Sequence, residues 1–234
     1  MGVQDRHMTP ALSSPLAVVA HDAGAAELML PWIDPQHHMV RALLEGPALA
    51  LWQRRFGSHG LVHSMAEVLH GAQLLLSGTS LGADLEHRAR LVAQARGLPS
   101  VAVLDHWTHY AARFQRDGQR VMADELWVCD AEAYALARAT FPMQRVALQP
   151  NSWLHEQVRC MAPCPDPQRW QTMLLLPEPV GSAWGGDRPG EEQAFDFLVA
   201  HADRLGLVAP LSLRIRPHAG DAPERWRAWI DQHR

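Results

Sequence analysis

Val101-Ala102-Val103-Leu104-Asp105-His106-Trp107-Thr108-His109-Tyr110-Ala111-Ala112-Arg113 decides how the chain folds, because four apolar residues run there straight into a dense polar and aromatic cluster. Asp105, His106, Trp107, His109, Tyr110 and Arg113 all follow the apolar run within about two helical turns. A purely structural loop is richer in Gly, Pro, Ser and Asn. In an open α/β sheet, ligands bind outside the carboxyl ends of the strands, so side chains delivered at such a junction are the first candidates for function.

The same rhythm extends in both directions. Short apolar runs at Leu16–Ala20, Ala48–Trp52, Gln73–Leu76, Ser100–Leu104, Glu125–Cys129 and Val146–Gln149 read as strands. Helical patterns lie between them at Ala25–Leu30, His37–Leu44, Val62–Leu69, Asp84–Arg96 and Ala131–Ala139. Alternation of this kind predicts an α/β fold, a Rossmann-like parallel sheet built from βαβ units. The Asp84–Arg96 helix is expected to stop at Gly97-Leu98-Pro99, a C-terminal stop signal.

Residues 1–158 are thus read as an N-terminal Rossmann-like domain, and 159–170, rich in Cys and Pro, as a linker. Residues 171–234 open a fresh cycle: a strand at Thr172–Leu176, a Gly-rich loop, a helix at Glu191–Leu205, a strand at Leu211–Ile215 and a helix at Pro223–His233. About 65 residues are too few to complete a doubly wound domain, so a partial second Rossmann-like domain is expected. Trp226, Trp229 and Ile230 fall on one face of the last helix, which would suit a homo-oligomer contact or an unfinished core.

Composition narrows the function classes. Apolar residues make up 47% and charged residues 20%, enough for a core and too balanced for disorder. A net charge of −4 gives no basic field, so nucleic acid is not an expected partner. All 21 basic residues are Arg, which excludes a Schiff-base or P-loop lysine within this sequence but not phosphate binding through Arg. No apolar run reaches the length of a transmembrane segment and residues 1–14 lack the apolar core of a signal peptide, so a cytoplasmic protein is expected. Cys129, Cys160 and Cys164 are read as reduced thiols; with His155 they match no standard zinc spacing, and no metal is expected.

Four clusters carry candidate chemistry. His21, Asp22 and Gly24 follow the first strand and open a helix; small residues there let a ligand approach backbone N–H groups, although a tight turn with Asp22 as N-cap reads equally well. The full Gly-x-Gly-x-x-Gly dinucleotide fingerprint is absent. Ser77, Thr79 and Ser80 follow the third strand, where hydroxyls bind a phosphate or sugar or simply cap the helix that carries Glu86. In the third cluster Asp105 is a base or sugar-hydroxyl acceptor, His106 a proton shuttle, Trp107 and Tyr110 stacking surfaces and Arg113 an anion partner. Asp130 and Asn151 extend the same sheet edge. In the second domain Glu178, Arg216 and His218 again terminate strands.

With these residues in hand, the chain resembles the two-domain GT-B glycosyltransferases, particularly bacterial enzymes that build surface polysaccharides. The resemblance rests on Val18-Val19-Ala20-His21-Asp22-Ala23-Gly24, on Leu104 to Tyr110 with Arg113-Phe114, on Asp124-Glu125-Leu126-Trp127-Val128, and on Leu213-Arg214-Ile215-Arg216-Pro217-His218. It is a likeness of pattern over most of residues 15–220. It implies a metal-independent enzyme with no cofactor, for which a nucleotide-sugar is the donor substrate and a glycan the acceptor. Asp22, Asp105 and His106 would be catalytic, with His21, Gly24, Ser77, Thr79, Ser80, Trp107, Tyr110, Arg113, Asp130 and Asn151 around the acceptor. Glu178, Arg216 and His218 would face the donor. Two departures stand out: Ala219 follows His218 where family members commonly carry Pro, and the rest of a family-type nucleotide pocket would follow residue 234. A nucleotide-sugar epimerase or hydrolase of the same fold, or a non-catalytic binding or assembly protein, would use the same groups.

Overall fold

The computed structural model describes residues 10–162, 172–177, 186–205, 212–218 and 221–233. The chain divides into two compact units, Met1–Met161 and Ala162–Arg234.

The first unit is built on a six-stranded parallel sheet. Its strands are β1 (Leu16–Ala20), β2 (Val40–Leu44), β3 (Leu74–Ser77), β4 (Ser100–Val103), β7 (Glu125–Val128) and β8 (Arg145–Leu148), in the order β2-β1-β3-β4-β7-β8. Two minimal strands, β5 (Gln115–Arg116) and β6 (Gln119–Arg120), form a separate hairpin. Every residue of β1 is buried, as are all of β3 and β4, which is why these strands read as continuous apolar runs rather than alternating ones. Register is tight: Leu16 to Ala20 pair in sequence with Val40 to Leu44, and Leu16 to Val19 with Leu74 to Ser77.

The helices are α1 (Ala23–Met29), α2 (Gly46–Phe56), α3 (Met65–Val68), α4 (Leu85–Arg96), α5 (Tyr110–Arg113), α6 (Ala131–Thr140) and α7 (Ser152–Cys160). α4 ends where expected, at Gly97 in the left-handed region with φ +64°, and the Leu98 N–H closes the turn on Ala93 O at 2.9 Å. Side chains of α1 and α2 pack with β1 and β2 around Trp32 and Trp52, both essentially inaccessible. On the opposite layer, Leu85, Ala89 and Ala93 of α4 join Ala17, Val19 and Leu75.

Two expectations are overturned. Residues 37–44 contain strand β2 rather than a helix, and residues 48–52 lie inside α2 rather than in a strand. The physical reason is local. Pro47 sits in the first turn, where its fixed φ and missing N–H suit a helix start, and Gly46 with φ +52° turns the chain into it. Ala48 and Trp52, four residues apart, then share the buried face. α7 was not anticipated, and it takes residues 159 and 160 from the expected linker.

The second unit pairs β9 (Thr172–Leu175) with β10 (Ser212–Ile215) in parallel, with helices α8 (Gly190–Ala200) and α9 (Pro223–Gln232). The helix expected over 191–205 ends at Ala200 and passes into a 3-10 turn at Ala202–Leu205. Trp226 and Trp229 are buried, not exposed, and pack on Phe195 with ring centroids 5.3 and 5.9 Å away. They pack into this unit's own core, one of the two roles the sequence left open for this face. Among the described residues no helix is long and apolar enough to cross a membrane.

Candidate functional site

The strand order places the topological switch between β1 and β3: from β1 the chain passes to β2 on one side and then returns to β3 on the other. In such sheets the loops leaving the carboxyl ends diverge at the switch and leave a crevice. Here that crevice is filled from within by Glu86. Its Oε1 accepts the His21 backbone N–H at 2.9 Å, and a Cβ on Gly78 would lie 3.1 Å from the same oxygen. Glu86 is 1% exposed and its Oε2 has no hydrogen-bond partner. Burial pushes its carboxyl above the ordinary glutamate range, with the backbone N–H groups and Arg90 opposing the shift.

The open cavity lies beside this plug, over the ends of β4 and β7. It measures about 190 Å³ and is lined by Gly24, Glu27 and Leu28 of α1, Leu104 to Trp107 after β4, Cys129, Asp130 and Ala133 at the start of α6, and Asn151 with Trp153 at the start of α7. Six residues singled out in the sequence, Gly24, Asp105, His106, Trp107, Asp130 and Asn151, therefore share one hollow. Glu27 and Trp153 were not singled out. Glu27 reads as an ordinary acidic position of a short helix, and Trp153 lies on α7, where no element was expected.

Asp105 is the most constrained of these groups. Its Oδ1 accepts from Arg113 Nη1 at 2.9 Å, and the two side chains are 14% and 8% exposed. Its Oδ2 lies against α1 at Gly24 so closely that a Cβ there would overlap it. Arg113 also donates to Thr79 O at 3.0 Å and, through Nε, to Thr108 O at 3.1 Å. It braces the loop and the carboxylate together rather than lining the cavity.

Trp107 is 57% exposed, an unusual placement for so large an apolar surface. Its Nε1 points at both carboxylate oxygens of Asp130, 3.1 Å from each, which fixes the indole plane. Asp130 in turn caps α6 by accepting the Ala133 N–H at 2.6 Å, and Asn151 caps α7 by accepting from Leu154 N at 2.9 Å. His106 is exposed, and its Nδ1 lies 3.1 Å from Thr108 Oγ1. His109, at φ +59°, takes the left-handed turn that carries the chain from this loop into α5.

The remaining candidates serve the frame. Asp22 leaves α1 uncapped and instead meets His21 Nδ1 at 2.7 Å, while the His21 ring packs on Gly46, where a Cβ would come within 2.8 Å of it. Ser77 Oγ donates to Val101 O and Thr79 Oγ1 to Val103 O, at 3.2 and 2.9 Å, stitching β3 to β4. Ser80 Oγ accepts from the N–H groups of Gly82 and Ala83. Tyr110 is buried with its hydroxyl unpartnered; burial and the nearby Asp130 charge push it up to about 12. Arg90, sealed beneath the loops, donates to Gly78 O at 2.9 Å and lies 5.0 Å over the Phe114 ring; burial lowers it to about 10, which leaves it charged at neutral pH.

Cys129 lines the cavity, and burial followed by the Asp130 charge pushes its thiol up to about 12. Among the described residues no group of three His, Cys, Asp or Glu side chains converges as a metal site. Cys164 and Glu178 lie outside the described residues. Arg216 and His218, both exposed, follow β10, and the Arg216 backbone N–H donates to Leu175 O at 3.0 Å. No model of a known protein family matches the chain, and no curated protein or solved structure matches it.

Proposed function

We propose that the chain is a glycosyltransferase-type protein whose first unit holds a glycan acceptor, and that it transfers a sugar to the acceptor from a nucleotide-sugar donor. The observation that carries this reading is the exposed Trp107 indole, fixed by Asp130 and standing in one cavity with Asp105 and His106. An indole face takes the apolar C–H face of a sugar ring, and carboxylates beside it accept the ring's hydroxyls.

In the proposed reaction the labour is divided among these groups. Asp105 is held in an ion pair with Arg113 and is assigned the orienting of the acceptor hydroxyl. In the tautomer whose Nδ1–H donates to Thr108 Oγ1, His106 presents Nε2 as its basic nitrogen. In the proposed reaction Nε2 takes the acceptor hydroxyl proton as that oxygen bonds to the anomeric carbon, and the bond to the nucleoside diphosphate breaks.

A second reading has one observation in its favour. Because the Asp105 carboxylate is tied to Arg113, the site would also serve a non-catalytic carbohydrate-binding protein.

The test is a thermal-shift panel of nucleoside diphosphates, nucleotide sugars and oligosaccharides against the chain and its Trp107→Ala variant. A ligand at 100 times its Kd adds about 2.7 kcal/mol of stability. Oligosaccharide and nucleotide-sugar shifts are expected, the former lost in Trp107→Ala. A glycan shift without any nucleotide-sugar shift would favour the binding protein, and no shift with any compound would overturn both readings.

A further inference from the structure

A larger hollow of about 360 Å³ adjoins the first, enclosed by α1, the 3-10 turn at Leu30–Trp32, α2 and α7. Glu27 and Trp153 line both, so the two open on either side of the same pair of side chains. Leu51 contributes an apolar wall, and the half-buried Trp153 indole a flat one. Two arginines border it, and they are not equivalent. Arg55 is clamped to Glu156 through two parallel hydrogen bonds of 2.8 Å, a pairing that ties α2 to α7. Arg54 is exposed, and it lines the hollow together with Glu27.

We propose that this second hollow is a subsite for an acidic sugar residue of an extended acceptor: its anionic group pairs with Arg54, its ring lies on Trp153, and the neighbouring residue passes Glu27 into the Trp107 cavity. The inference rests on the carbohydrate reading above and adds the charge and length of the ligand. A planar guanidinium pairs with a carboxylate or a phosphate in the same forked geometry, so the shared chemistry is an anionic substituent on a sugar. Arg54 is solvent-exposed, so the pairing weakens with salt.

The test is a glycan array carrying paired oligosaccharides, each in uronate-containing, phosphorylated and neutral carboxyl-reduced form, probed with the full chain and with its Arg54→Gln and Trp107→Ala variants. The expected result is binding of an anionic form at least about tenfold tighter than its neutral partner. The preference should fall to parity in Arg54→Gln, with neutral binding unchanged. The carboxylate and phosphate arms identify which anion the subsite takes. Equal binding of anionic and neutral forms, or a preference that survives Arg54→Gln, would overturn the subsite while leaving the Trp107 cavity standing. Absence of binding to every glycan would overturn the carbohydrate reading and the subsite with it.

Discussion

Asp105 Oδ2 occupies the space that a side chain on Gly24 would need. The first turn of α1 and the loop after β4 therefore meet only because residue 24 has no Cβ, and this contact sets one wall of the cavity. Gly24→Ala is expected to destabilise the first unit by about 1–3 kcal/mol, the usual effect of overpacking. It should also abolish ligand binding, because Asp105 must swing away. Denaturant unfolding followed by ligand titration checks both.

Asp105 and Arg113 form a largely buried pair. Removing one charge leaves the other uncompensated, so Asp105→Asn, which keeps the shape, should destabilise by about 3 kcal/mol. Arg113 retains the Thr79 and Thr108 carbonyls as acceptors, so the fold should survive. Urea unfolding with an unchanged m-value is the expected signature.

Glu86 gives stability a signed pH dependence. Its carboxyl is raised above the ordinary 4.5, so the folded chain holds this proton more tightly than the unfolded one. Its contribution is therefore fully present below the ordinary range and is lost as pH rises through the raised value. Glu86→Gln removes that loss while keeping an acceptor for the His21 N–H. The variant should gain on the wild type as pH rises above 4.5, and the two should converge below it. Thermal unfolding from pH 4 to pH 8 measures the difference, and a gap that shrinks with rising pH would contradict the assignment.

Cys129 and Cys160 should differ in reactivity. The Cys129 thiol is pushed up to about 12 and half-buried in the cavity, whereas Cys160 is exposed at the end of α7. The thiolate is the nucleophile, and its scarcity at Cys129 outweighs the greater nucleophilicity of a more basic thiolate, so at pH 8 iodoacetamide should label Cys129 roughly a hundredfold more slowly. Its rate should climb towards pH 12, and a bound glycan should protect it further. Peptide mass spectrometry reads each cysteine separately.

The fold was legible where the signal was local. Leu16–Ala20 reads as a buried strand because all five residues are apolar, and Gly97-Leu98-Pro99 ends α4 by its own backbone chemistry. The exchange of strand and helix over residues 37–52 shows the limit. Ala, Leu and Val in a parallel sheet covered on both faces carry no alternation, so only Gly46-Pro47 marks which run is the helix. The site was legible in its strand-end groups, since strand ends converge in a parallel sheet whatever the tertiary detail. Glu27 and Trp153 were not, because their place depends on how α1 packs against α7. Nor does spacing alone reveal that Thr79 and Arg113 brace the loop, for that depends on which carbonyls they meet.

In the proposed function the Trp107 cavity transfers sugar with His106 as the base. The most direct measurement is acceptor-dependent release of nucleoside diphosphate from a panel of nucleotide sugars, comparing the wild type with His106→Ala. Release is expected with at least one donor and acceptor, reduced at least about 100-fold in the variant while acceptor affinity changes by no more than about threefold. Equal release by the two proteins, or none with any donor from a chain that binds glycan, would contradict it.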